Sequence, residues 1–127
     1  MQLDHLILRV RDTTASARFY GHILGLRHEG QAGPFDVLRV DDGSTIDLLG
    51  EPPRDPAHLA FRLSRAGFEG VRQRLHADGI AYGGDPFTRD GRSAAQFGAR
   101  GWAEALYFHD PDLHNIEVRC DEPQPAV

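Results

Sequence analysis

Four residues able to hold a metal or move a proton recur in this 127-residue chain in two matched settings. His5 opens the run His5-Leu-Ile-Leu-Arg9, and His58 opens His58-Leu-Ala-Phe-Arg62. Asp47 lies in Ile46-Asp47-Leu48, and Glu117 lies in Ile116-Glu117-Val118. Imidazole and carboxylate donors suit divalent ions such as Fe(II), Mn(II), Ni(II) or Zn(II). Two imidazoles and one carboxylate leave positions open, where such an ion acts as a Lewis acid on a substrate oxygen. A single histidine at a strand start, or a single glutamate near a chain end, is usually a solvated or hydrogen-bonded residue. The recurrence of both types at matching places singles these four out.

Strand alternation decides which side chains share a face. In the first run His5, Ile7 and Arg9 point one way, opposite Leu6, Leu8 and Val10. In the second, His58, Ala60 and Arg62 oppose Leu59, Phe61 and Leu63. Near the ends of the two halves, Thr45, Asp47 and Leu49 oppose Ile46 and Leu48, and Asn115, Glu117 and Arg119 oppose Ile116, Val118 and Cys120. The apolar sets must face helices and the mixed sets line a wet surface. A pseudo-twofold packing of the halves is expected to gather His, Asp, His and Glu. Tyr107 and His109 share one face of the penultimate strand and are candidate proton donors beside the metal. Arg9, Arg62 and Arg119 are candidate contacts for a substrate anion.

The elements that must position these residues come in a repeated order. A strand is expected at the start, then a helix over about 14–24, which Gly25 stops as a C′ glycine. Strands are expected over 27–31, 35–40 and 45–49, with Asp42-Gly43 as a hairpin signal. Glu51-Pro-Pro-Arg-Asp-Pro56 reads as a linker. The order then restarts: a strand over 57–63, a helix marked by Phe68, Val71 and Leu75, and strands over 80–82, 103–109 and 114–119. The polar, Gly-rich stretch 88–101 reads mostly as a loop, and His114 as a turn residue. The fold class is therefore α+β, two tandem βαβββ modules whose mixed faces line a wet concave surface. The expected boundaries are about 1–50 and 57–121, with a tail over 122–127, all within one domain of ordinary size. The distance from His to acid is 42 residues in the first half and 59 in the second, because the second carries the extra stretch.

Composition narrows the partners. The formal charge is −5 and the 14 basic residues are scattered, which argues against a nucleic-acid surface. No run approaches the roughly 18 apolar residues of a membrane span, and the N-terminus lacks a secretory pattern. The single cysteine, Cys120, excludes an internal disulfide, and a reduced thiol fits the cytoplasm.

Leu3-Asp4-His5, Ser16-Ala-Arg-Phe-Tyr20, Leu24-Gly25-Leu26, His58-Leu-Ala-Phe61 and Tyr107-Phe-His-Asp-Pro-Asp112, followed by Ile116-Glu117, run through nearly the whole chain in order. In this the chain resembles the vicinal oxygen chelate superfamily of glyoxalases, bleomycin-resistance proteins and extradiol dioxygenases. The resemblance implies paired βαβββ modules, each curling its mixed sheet around a metal-binding cup, a homodimer, a small-molecule substrate and a divalent metal held by His5, His58 and Glu117. It implies a lyase, isomerase or dioxygenase reaction in which the metal steadies developing negative charge. It puts Asp47 at the place of glyoxalase I's fourth ligand, one methylene shorter than the usual Glu, and Arg9 where that enzyme grips a carboxylate. The short Pro-rich segment before His58 lacks glutathione-contact residues. The residues after Glu117 lack the basic tail of the fosfomycin-resistance enzymes. Leu113 replaces the glycine of the family's Asp-Pro-Asp-Gly turn. The alternatives are a metal-free, bleomycin-resistance-type binding protein and a lapsed enzyme.

Overall fold

The computed structural model describes residues Met1–Gln124, so three residues of the expected tail, 125–127, lie outside the described residues. The first repeat runs β1 (His5–Val10), α1 (Thr13–Leu24), β2 (Arg27–Ala32), β3 (Phe35–Asp41) and β4 (Ser44–Gly50). The second runs β5 (His58–Arg62), α2 (Arg65–Ala77), β6 (Tyr82–Gly83), β7 (Ala94–Gly98), β8 (Gly101–His109) and β9 (Asn115–Cys120). The α+β class and the duplication expected from the sequence are both present.

Each helix starts and stops for a local reason. Asp12 caps α1 by accepting from the Ala15 amide, and Ser64 caps α2 by accepting from the Gly67 amide. Gly25 (φ 72°) and Gly79 (φ 66°) take the left-handed conformation just past the two helices, which glycine adopts without a Cβ penalty. Ser16, Ala17, Tyr20 and Ile23 form the buried stripe of α1, and Phe68, Val71 and Leu75 that of α2.

The sheets follow the same plan in both repeats. The first has the order β1-β4-β3-β2, and the second β5-β9-β8-β6 with β7 also paired to β8. The first and last strands of each repeat pair in parallel, His5 opposite Thr45 and Ile7 opposite Asp47 in one, His58 opposite Asn115 and Ala60 opposite Glu117 in the other. Each acid thus stands two residues beyond the partner of its histidine. The apolar faces, with Leu8, Val10, Leu38, Ile46 and Leu48 in the first sheet and Leu106, Phe108, Ile116 and Val118 in the second, are buried. Each large side chain so buried contributes about 2 kcal/mol.

Contacts divide the chain into two compact units, Met1–Ala57 with Asp110–Leu113, and His58–His109 with the chain from His114 onward. The Asp110-Pro-Asp-Leu113 turn therefore belongs with the first repeat. The Tyr20 hydroxyl donates to Asp110 at 2.6 Å, and the backbone and guanidinium of Arg11 donate to Asp112 at 3.0 and 3.2 Å. These partners satisfy carboxylates that would be costly to bury alone. Burial, and then the Asp110 charge, hold the Tyr20 phenol well above its ordinary pKa.

Two expectations need correction. The stretch read as a loop over 88–101 contains β7, which pairs with β8 from Ala94↔Ala105 to Gly98↔Gly101. Its Ala-Ala-Gln-Phe-Gly sequence has little β propensity, and pairing rather than propensity makes it a strand. The second repeat accordingly has one strand more than βαβββ. His114, read as a turn residue, lies between the Asp110–Leu113 turn and β9 and is only 1% exposed.

Leu113 has φ 66°, the single positive-φ non-glycine among the described residues, and its side chain is 65% exposed. An L side chain there is strained by about 1 kcal/mol and gains little from burial. Leu113→Gly is therefore expected to raise the stability by about 1 kcal/mol in urea unfolding. Unchanged or lower stability would refute the strain.

Candidate metal centre

The second unit brings together a histidine, a carboxylate and a phenol on the polar face of its sheet. Glu117 in β9 lies between Ala60 of β5 and Tyr107 of β8 in register, and His58 lies opposite Asn115. His58 Nε2 is 3.2 Å from Glu117 Oε1, and His58 Nδ1 is 2.9 Å from the Asn115 carbonyl oxygen. A carbonyl only accepts, so Nδ1 carries a hydrogen. In the neutral imidazole Nε2 then keeps its lone pair and faces the Glu117 acceptor across 3.2 Å. That arrangement is repulsive unless a proton or a cation lies with them. An imidazole fixed through its other nitrogen, beside a carboxylate, is the donor pattern of a divalent transition ion, so these residues fit the group the resemblance implies.

Glu117 is 3% exposed, and its second oxygen is accounted for within the protein. Arg119 donates to Oε2 at 2.6 Å. The same guanidinium donates to the carbonyls of Gln96 and Gly101 at 2.9 and 3.0 Å. Arg119, expected among the substrate-facing arginines, is thus engaged internally. The Tyr107 hydroxyl hydrogen-bonds Glu117, and its ring stacks on His58 with centroids 5.7 Å apart. Burial first, and then the Glu117 carboxylate, raise the Tyr107 pKa well above that of an ordinary phenol. His109 stands opposite Asn115 and its Nε2 accepts from Arg89 at 3.3 Å. Arg62 shares the His58 face, exposed and with no hydrogen bond or ion pair among the described residues.

The first unit holds the remaining candidates. His5 Nδ1 is 2.6 Å from Asp4 Oδ2, which leaves Nε2 with its lone pair. That bond chiefly, helped by the charges of Asp4 and Asp47, raises the His5 pKa. Asp47 lies between Ile7 and Val37 in register and accepts from the Thr45 hydroxyl at 2.9 Å. Arg9 is paired with Glu51 at 3.1 Å, the strand-side ion pair that competes with carboxylate binding. Among the described residues no three His, Cys, Asp or Glu side chains are gathered as a metal-holding group. The structure therefore unites His58, Glu117 and Tyr107 in one unit, while in the other His5 is bonded to Asp4 and feels Asp47 only through its charge.

Sequence reasoning missed Asp4, Asn115 and Arg89 as supports. Asp4 adjoins a candidate ligand and could have been found that way. Asn115 acts partly through its main-chain carbonyl, which no residue type announces. Arg89 reaches from a loop to Asn115 Oδ1 at 2.8 Å, a contact 26 residues away in sequence.

The family model of the Glyoxalase/Bleomycin resistance protein/Dioxygenase superfamily matches residues 2–118. The chain belongs to that superfamily. Among curated proteins it is 28% identical over 123 residues to Glutathione transferase FosA of Serratia marcescens, covering 91% of this chain and 78% of the relative. Among solved structures, Oxidase ChaP-H2 is 31% identical with a TM-score of 0.81, covering 99% of this chain and 97% of that one. A glyoxalase/dioxygenase from Nostoc punctiforme is 32% identical with a TM-score of 0.71, covering 96% and 92%. Among the described residues, no helix of this superfamily member is long and apolar enough to cross a membrane.

The raised phenol supplies a direct check. A group whose ionised form is disfavoured in the fold stays protonated past its unfolded pKa, and the stability it lends is lost as pH rises beyond that value. In ultraviolet difference titration against Tyr107→Phe, Tyr107 is expected to contribute no tyrosinate at pH 10.0, the ordinary midpoint. A difference already half developed there would count against the Tyr107–Glu117 bond.

Proposed function

We propose that this chain is a divalent-metal-dependent enzyme of the vicinal oxygen chelate type, acting on a small oxygenated substrate, with His5, His58 and Glu117 holding the ion. The observation that carries the reading is the approach of His58 Nε2 to Glu117 Oε1 at 3.2 Å, two atoms of the types that share a divalent ion. His5, with Nδ1 tied to Asp4, offers a second imidazole whose Nε2 lone pair is available. When bound, the ion supplies Lewis-acid stabilisation to substrate oxygens.

The chain's own residues divide the remaining work. Tyr107, kept protonated by burial and by Glu117, donates a hydrogen bond at the site and resists losing its proton. His109, its Nε2 already accepting from Arg89, orients substrate on the same face. Arg62 offers a guanidinium to an anionic end of the substrate, the contact arginine makes best. Asp47 serves as a base or water-holding group in place of a fourth ligand, since Ile7 and Val37 flank it and Thr45 occupies one oxygen. Three protein ligands leave room for two substrate oxygens or for dioxygen, and similarity to Oxidase ChaP-H2 supports a dioxygenase or oxidase reaction over a lyase or isomerase one. We further propose a homodimer in the cytoplasm, in keeping with the single buried thiol of Cys120.

Metal analysis of protein purified without chelators tests the reading. About one ion per chain is expected for the unmodified protein, with large losses in His5→Ala, His58→Ala and Glu117→Ala. A chain that also rejects added Fe(II), Mn(II), Ni(II) and Zn(II) would instead be a metal-free small-molecule binder of the bleomycin-resistance kind, or a lapsed enzyme.

A further inference from the structure

The two repeats share a register but differ beside the acid. Two residues beyond Asp47 stands Leu49, whereas two residues beyond Glu117 stands Arg119. The second repeat also carries β7 and its hairpin with β8, an extra strand in that repeat. These two differences meet in one place. Arg119 donates to the main-chain carbonyls of Gln96 in β7 and Gly101 at the start of β8, while holding Glu117 Oε2. Its side chain is 12% exposed, so the contacts form largely out of water, where charge-assisted hydrogen bonds are strong.

Gly98 makes the arrangement possible. A Cβ on Gly98 would fall within 3.0 Å of Cζ and both terminal nitrogens of Arg119. The Gly98 backbone is not in the positive-φ region. Glycine there leaves the space the guanidinium occupies, and a Cβ would force the guanidinium to move; the backbone conformation does not call for glycine. Ala105, opposite Arg119 on β8, is also small.

We propose that Arg119, seated on the β7–β8 hairpin at Gly98, is a positioning residue. It holds Oε2 of Glu117 so that the carboxylate presents Oε1 alone toward His58. A carboxylate free to turn could offer both oxygens to one ion. Held by Arg119 at 2.6 Å, it offers one, and its charge is partly neutralised. One-oxygen binding keeps a further position open for substrate, and partial neutralisation leaves the bound ion a stronger Lewis acid. The inference rests on the metal reading above and adds the number of Glu117 oxygens available.

Titration with Co(II), followed by visible absorption, tests this on four proteins: unmodified, Arg119→Gln, Gly98→Ala and Arg100→Gln. Gly98→Ala keeps the arginine's charge and only displaces it. Arg100, exposed and paired with Asp121 at 3.5 Å, is the control on the same hairpin. The unmodified protein and the control are expected to bind Co(II) alike with the same bands. Arg119→Gln and Gly98→Ala are expected to bind Co(II) more tightly, on the order of 10-fold, with altered bands as Glu117 turns and offers its second oxygen. Circular dichroism and thermal unfolding of the metal-free proteins establish that each variant folds. If Arg119→Gln does not, Gly98→Ala decides. Unchanged affinity and bands in Gly98→Ala would overturn the positioning role and leave the metal reading standing. An unmodified protein that takes up no Co(II) would overturn both.

Discussion

Parallel pairing between the first and last strands of each repeat is the constraint on which the rest depends. Parallel neighbours need a crossover, and here the crossover includes a helix that covers one face of the sheet. The residues on that face must be apolar, and those on the other are free to be polar. His5 and Asp47 in one repeat, and His58 and Glu117 in the other, occupy the free face because Leu8, Ile46, Ile116 and Val118 occupy the covered one. A slip of one residue in either pairing would exchange the two sets and destroy core and site together.

The repeats have diverged in what surrounds each acid. Asp47 has Ile7 and Val37 beside it and a threonine hydroxyl on one oxygen. Glu117 has the small Ala60 on one side, the Tyr107 phenol on the other, and an arginine on Oε2. A nearly buried carboxylate needs such compensation, since an unpaired charge in that position is strongly unfavourable. Of its two oxygens, Oε2 accepts from the arginine and Oε1 faces His58. Stability and site geometry are here one set of contacts.

A second buried polar cluster ties the Asp110–Leu113 turn to the first repeat. Asp110 and Asp112 are nearly inaccessible and are satisfied by Tyr20, Ser16 and Arg11, residues roughly 90–100 positions earlier in the chain. The motif segments that make the superfamily recognisable, Ser16–Tyr20 and Tyr107–Asp112, are thus partly the two sides of a hydrogen-bonded contact.

Period-two alternation, helix caps and the matched His and acid positions were legible in the sequence because each is a local pattern, read within a few residues. They determined the α+β class, the duplication, and which side chains share a face. What lay beyond them depended on partners far apart in the chain. The strand Ala94–Gly98 forms only because β8 offers it a ladder, so its weak propensity concealed it. Asn115 supports His58 through a main-chain carbonyl, which has no sequence signature. Arg119 looked like a substrate contact by type and face, and only the hairpin carbonyls and Gly98 assign its guanidinium to Glu117. Residue type and periodicity determine which groups can reach a face; the tertiary structure decides which donors are already engaged there, because hydrogen bonds are completed by whatever packing brings within about 3 Å.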